Sequence, residues 1–241
     1  MQPRLRMFAG PNGSGKTHLF NFLRSQSYIH TEIYVNADDI EQKLRRTFKF
    51  HFNAYRVKVS DGDFKNHIRQ SGMLKKIADA SFLEKIKIEN GILTFSIKKS
   101  QLNSYFASFI ATYLAERLID SSQSFCFETV LSHSSKIKLL EQAKEKGYKT
   151  YLYFVCTDDW RLNVERVKLR VRQGGHNVDE KKIEQRYFRS LRLFSQASKL
   201  AHTSYLIDNS RNFELMSELN NGKTVYPISD YPIWFKKYST P

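Results

Sequence analysis

The eight residues Gly10-Pro11-Asn12-Gly13-Ser14-Gly15-Lys16-Thr17 fit the pattern G-x-x-x-x-G-K-[ST] in full, and nothing else in the 241-residue chain restricts its fold as strongly. The pattern has meaning only between a strand and a helix. Here an apolar run at 5–9 precedes it and a helical run at 18–25 follows. Such a loop turns its backbone N–H groups inward around phosphate oxygens, and the following helix adds the partial positive charge of its N-terminus. Lys16 is then expected to reach the β- and γ-phosphates of a nucleoside triphosphate, and the Thr17 hydroxyl to ligate Mg2+. A nucleoside triphosphate with Mg2+ is the expected ligand.

The rest of the chain continues the alternation. Short apolar runs at 32–35, 125–127, 150–155 and 204–207 have the length and composition of buried strands. Between them, helical periodicity marks 37–47, 104–120, 134–146, 161–172 and 179–200. In 161–172 the apolar stripe is Val164, Val167 and Val171, while Arg166 and Arg170 share another face. Alternation of this kind requires right-handed crossovers, so the expected fold class is α/β, a doubly wound, mainly parallel sheet. The chain reads as one domain, 1–241, interrupted at 48–103 by an insertion too long for a simple crossover. Within that insertion, 84–97 carries a β-hairpin signal with Asn90-Gly91 as a two-residue type I′ turn. Pairing outward sets Ile88 opposite Leu93 and Ile86 opposite Phe95 on an apolar face expected to pack over the core.

Charge narrows the class of partners. Lys and Arg number 39 against 24 Asp and Glu, a net of +15, and the excess concentrates between Arg161 and Arg192. Such a field attracts polyanions, whether nucleotide, phosphorylated metabolite, nucleic acid or acidic protein. Two cysteines, Cys126 and Cys156, are too few for a disulfide framework or zinc cluster and read as small apolar residues of neighbouring strands. No apolar stretch is long enough to span a membrane, and no signal-peptide core precedes the glycine-rich loop, so the cytoplasm is the expected location.

A motor or switch ATPase would show a strand of four apolar residues ending in Asp, and none of the predicted strands does. Asn36-Ala37-Asp38-Asp39 and Glu128-Thr129 follow the predicted strands instead. Acids at the carboxyl ends of parallel strands lie in the crevice where such sheets bind ligands. Asp38 is the favoured proton acceptor for a substrate hydroxyl, with Asp39 capping the helix that follows. Glu128 emerges from an apolar strand and needs a partner, either Lys16 or a bound hydroxyl. Arg166 and Arg170, on a helix stopped by Gly174-Gly175, are candidates to neutralise charge developing on a transferred phosphoryl group. His176 reads as a loop residue, Asp208-Asn209-Ser210 as a weak candidate for a base-contacting loop, and 226–238 as a non-helical aromatic tail laid across the core.

Taken in order, residues 9–17, 36–39, Phe127-Glu-Thr-Val-Leu-Ser132, 166–171, Gly174-Gly-His-Asn-Val178, Arg186-Tyr187 and Asp208-Asn-Ser210 resemble the zeta-toxin family of P-loop kinases, particularly its short members. The resemblance implies an ATP- or GTP-dependent, Mg2+-dependent phosphotransferase. Its acceptor would be a hydroxyl of a small anionic metabolite, a UDP-N-acetylsugar by analogy with the family's best understood toxins, with an antitoxin protein as partner. It implies that Gly10, Pro11, Asn12, Gly13, Ser14, Gly15, Lys16, Thr17 and His18 hold the nucleotide. Asp38 would accept the proton, Glu128 and Thr129 would contact substrate, Arg170 with Arg166 would clamp phosphate, and Arg186 is one candidate for a second family arginine. Val130, Asp179 and His18 depart from the family pattern. Two other readings remain open on the residues: a polynucleotide-kinase-like enzyme acting on a nucleic-acid end, docked by the +15 field, and a non-catalytic nucleotide-dependent binding module.

Overall fold

The computed structural model describes residues 2–72, 81–97, 104–175, 177–226 and 231–238. The expectations for His176 and for parts of the 48–103 insertion and the C-terminal tail therefore lie outside the described residues. Two compact units divide the chain: Met1–Tyr34 with Ser124–Pro241, and Val35–Gln123.

The first unit is built on a sheet. Its strands are β1 (Arg4–Ala9), β6 (Phe125–Thr129), β7 (Lys149–Cys156), β8 (Thr203–Asp208), β9 (Glu214–Asn220) and β10 (Lys223–Tyr226), in the spatial order β10-β9-β8-β7-β1-β6. β1 pairs in parallel with both β6 and β7, and β7 with β8. The central strands β1 and β7 are mostly buried, with Met7, Phe8 and Ala9 and with Phe154, Val155 and Cys156 as apolar runs at their carboxyl ends. The mainly parallel α/β sheet is thus observed, with one addition. β9 and β10 form an antiparallel hairpin at the edge, turned by Asn221 and Gly222, both at positive φ. Beyond β6, Ile33 O accepts from Cys126 N–H at 2.8 Å, where the chain approaches β2 (Tyr34–Asn36). Cys126 and Cys156 are both buried, but β1 lies between their strands, which corrects the expectation that those strands are neighbours.

Helices α1 (Lys16–Ser25), α5 (Ser135–Glu145), α6 (Trp160–Arg172) and α7 (Glu180–Leu200) belong to this unit. Val164 and Val167 of α6 pack on Ile183 of α7, so the valine stripe is the buried face of that helix. The tail departs from expectation. Ile233–Tyr238 is a short helix, α8, whose Trp234 is buried and donates from Nε1 to Asp208 Oδ1 at 2.9 Å.

The second unit contains helices α2 (Ala37–Thr47), α3 (Asp61–Gln70) and α4 (Ser104–Asp120) and the strands β3 (Lys49–His51), β4 (Ile86–Glu89) and β5 (Ile92–Phe95) in the order β3-β5-β4. The β4–β5 register sets Ile86 opposite Phe95 and Ile88 opposite Leu93, with Asn90 and Gly91 at positive φ in the turn. Phe95 meets Phe106 of α4 edge to face, and Phe52, Phe64, Phe109 and Tyr113 continue this aromatic cluster. The hairpin's apolar side thus faces a core within its own unit. Tyr113 is buried and its hydroxyl donates to Asp63 Oδ2 at 2.6 Å, so desolvation and that carboxylate hold its pKa above the ordinary phenol value.

Candidate active site

The glycine-rich loop leaves β1 and enters α1 with its backbone dictated by glycine. Gly10 has φ +139°, and a Cβ there would stand 2.0 Å from Val155 O. Gly15 has φ +102°, and a Cβ would stand 2.4 Å from Asn209 Nδ2 and 2.9 Å from the Phe213 ring. Neither position admits a side chain. Gly15 is also the N-cap of α1, which begins with no side-chain cap and no acidic residue in its first turn. The positive end of that helix dipole is therefore left for an anion.

The loop's side chains fit the same occupant. Ser14 Oγ is fully buried and has no hydrogen-bond partner among the described residues. A buried hydroxyl in that condition costs free energy unless a ligand supplies the missing bond. Lys16 is buried too, and its Nζ donates to Pro11 O at 2.8 Å. Two elements hold the loop from outside. Asn209, directly after β8, donates from Nδ2 to Ser14 O at 2.8 Å, and Arg186 of α7 donates from Nη1 to Asn12 Oδ1 at 3.4 Å.

Glu128 is the last residue but one of β6, which neighbours β1, with Phe8 opposite Glu128 and Ala9 opposite Thr129 in the parallel register. Thr17 Oγ1 donates to its carboxylate, 2.9 Å from Oε2 and 3.1 Å from Oε1, and the Tyr34 hydroxyl donates to Oε2. The need for a partner is real, but Thr17 and Tyr34 meet it. Carboxylate and threonine hydroxyl together form an oxygen donor pair beside the phosphate loop, which is the chemistry Mg2+ requires. Thr129 turns its hydroxyl to its own backbone, accepting from Leu131 N–H at 3.2 Å.

The two arginines expected to act together share α6 but have different neighbours. Arg166 donates to Asn209 O at 2.8 Å and Ser210 O at 3.4 Å, and burial lowers its pKa despite the nearby Asp208. It braces the loop that in turn holds Ser14. Arg170 packs against Gly175, where a Cβ would stand 2.5 Å from Arg170 Cγ. β8 does end in an aspartate, Asp208, a feature the strand reading passed over. Its carboxylate is occupied by Trp234 and by Ser210, whose N–H and hydroxyl both donate to it at 3.0 Å. Farther along the same loop, Phe213 is more than one-third exposed and stacks on His18, with ring centroids 5.2 Å apart.

Asp38 and Asp39 belong to the second unit. Neither caps α2, which corrects that expectation. The cap is Asn36, whose Oδ1 accepts from Asp38 N–H at 2.9 Å, and both aspartates lie in the first turn. Burial, assisted by Asp38 and opposed by Lys43, raises the pKa of Asp39. Tyr34, Phe213 and the bracing role of Asn209 escaped the sequence reading. Only Asn209 had a signal, its position after a predicted strand.

Comparison with known proteins bears on the family and the fold. Residues 95–218 match the family Zeta toxin, a span that includes Glu128, Thr129, Arg166, Arg170, Arg186 and Asn209 and begins beyond the phosphate loop. An uncharacterized protein of Haemophilus influenzae is 35% identical over 63 residues, 26% of this chain and 45% of that one. A chain of the AvrRxo1-ORF1:-ORF2 crystal structure with ATP aligns over 99% of this chain at 14% identity and a TM-score of 0.60, and the native complex gives 0.59. Both alignments span 64% of the AvrRxo1 chain, so this chain covers less than two thirds of these relatives. With the family pattern matched over half its length and the fold shared end to end, the chain belongs to the zeta toxin family.

Proposed function

We propose that the protein is a kinase that transfers the γ-phosphoryl group of ATP or GTP to a hydroxyl of a small anionic metabolite, a UDP-N-acetylsugar being the first candidate. One observation carries this reading: a glycine-lined nest at an uncapped helix N-terminus, holding a buried serine hydroxyl with no partner among the described residues and a buried lysine, beside a carboxylate on the Thr17 hydroxyl. Loop amides and Lys16 bind the phosphates. Thr17, with Glu128 against it, is the seat for Mg2+, which when bound offsets charge on the β- and γ-phosphates. Asp38 is assigned the proton of the acceptor hydroxyl. Arg186, at the loop through Asn12, and Arg170 are assigned to the transferred phosphoryl group. Membership of the zeta toxin family supports a toxin role with an antitoxin partner.

Purified protein incubated with Mg2+ and labelled ATP or GTP against UDP-N-acetylsugars and oligonucleotides tests the proposal. Label on the sugar nucleotide, absent with Lys16→Ala, is the expected result. Label on an oligonucleotide end would make the enzyme a polynucleotide kinase. Bound nucleotide with no transfer to any acceptor would make it a nucleotide-dependent binding module. Growth arrest on expression, relieved by Lys16→Ala, is expected of a toxin.

A further inference from the structure

Glu128 is gripped from two sides, and the second grip has no part in phosphate binding. Thr17 Oγ1 spans both carboxylate oxygens, while the Tyr34 hydroxyl donates to Oε2. The Tyr34 ring has little freedom of its own. It stacks on Phe20 with centroids 4.0 Å apart and planes within 9°, and Phe20 in turn meets Phe8 of β1 edge to face at 5.5 Å. Phe20 is buried and lies one turn beyond Thr17 on α1. The same helix thus carries the threonine and the platform that aims the tyrosine.

A threonine hydroxyl has one proton and two lone pairs. With its proton committed to Glu128, Thr17 Oγ1 keeps its lone pairs for a cation. That commitment holds only while the carboxylate stays turned toward α1, and a glutamate at a strand end has free side-chain torsions to lose. We propose that Tyr34 is a positioning residue: its hydroxyl fixes the rotamer of Glu128, Glu128 takes the Thr17 proton, and the oriented Thr17 oxygen becomes a ready ligand for a divalent cation. The inference rests on the reading of the nest as a magnesium–nucleotide site and adds what prepares the metal's seat. Groups that orient metal ligands in this way typically govern about 10–100-fold in metal affinity.

The test is calorimetric titration of ADP in excess Mg2+ and in EDTA, on the wild-type chain and on Tyr34→Phe, which keeps the stacked ring and loses only the hydroxyl. Wild type should bind more tightly with Mg2+. Tyr34→Phe should keep its affinity in EDTA and lose about tenfold of the Mg2+-dependent gain. Glu128→Gln should show the same selective loss, and the double variant should be no worse than Glu128→Gln alone. Mn2+ with ADP, followed by electron paramagnetic resonance, should report the weakened site directly. Unchanged affinity of Tyr34→Phe in both conditions, or an equal loss in both, overturns the positioning role. If Tyr34→Phe does not fold, an unaltered Mg2+ dependence in Glu128→Gln overturns it equally. Failure of the wild-type chain to bind ADP in either condition refutes the nest itself, a separate result.

Discussion

Helix α1 follows β1 through the glycine-rich loop and α2 follows β2 directly, and their first turns are built to opposite electrical ends. α1 starts at a glycine with no side-chain cap and no acid, next to a lysine. α2 starts at Asn36, whose side chain takes one of the free amides, and continues into Asp38 and Asp39. Both helices present the same partial positive charge at the backbone. At α1 no cap or acid of the first turn meets that charge, which suits the phosphate tail proposed above. At α2 it already meets carboxylates of the chain itself, one of which, Asp38, is the base proposed above. A helix N-terminus is therefore no more than a potential, and three or four side chains decide whether its charge is left for an outside anion or met by the chain's own carboxylates.

The division has a direct test at the acidic end. Asp38→Asn keeps the shape of the first turn and removes one carboxylate. Transfer to the acceptor should fall by about 10²–10⁴, the range for loss of a general base. Nucleotide affinity should not change, because the phosphate end is untouched. Steady-state rates set beside ADP titrations measure both. If Asp39→Asn gives the larger drop, the base is Asp39, and the pKa already raised by its burial becomes part of the chemistry.

At the phosphate end, the comparison sharpens on Phe213. Its exposed ring leans on Gly15 and stacks on His18, an apolar surface beside an otherwise polar nest. A purine laid on such a ring gains about 1–3 kcal/mol. Phe213→Ala should weaken ATP or GTP by about 10–100-fold and leave binding of inorganic tripolyphosphate unaltered, since only the nucleoside has a base to stack. An equal loss for both ligands would show that Phe213 instead supports the loop through Gly15.

How much of this was readable in advance follows from distance along the chain. The strand, nest and helix at 4–25 were legible because glycines, lysine and apolar run are contiguous and each is required by local backbone geometry. The register of β4 and β5 was legible for the same reason, through Asn90-Gly91. The equivalent signal at Asn221-Gly222 went unused because β9 has mixed polarity, with exposed Glu214, Leu215 and Asn220 around buried Met216, Ser217 and Leu219. What could not be read are the partnerships across long separations. Tyr34 and Glu128 stand 94 residues apart, Asn12 and Arg186 174, and Ser14 and Asn209 195. No periodicity links such pairs; only the tertiary arrangement of strands and helices brings them together. Arg166 and Arg170 show the same limit of local spacing. Helical spacing placed them on one face, but tertiary neighbours gave one to the Asn209–Ser210 carbonyls and set the other against Gly175.

The smallest effect concerns Asn36, and it separates folding from chemistry. As cap of α2 it satisfies the Asp38 amide, and its replacement by alanine typically costs about 1 kcal/mol. Asn36→Ala should therefore lower the thermal midpoint by a few degrees, in proportion to that loss. Asn36→Asp restores an acceptor of similar capping strength but sets a third carboxylate beside Asp38 and Asp39. Its recovery should be partial at neutral pH and improve in acid, as Asp39, whose pKa burial has raised, takes up a proton. The sign follows from linkage: a carboxyl whose folded pKa lies above its unfolded value favours the folded state more as pH falls through that interval. Thermal melts of the three proteins across the carboxylate range measure it. A recovery that is complete and independent of pH would mean the three side chains do not sense one another, and that the charge balance drawn between α1 and α2 is a matter of hydrogen bonds alone.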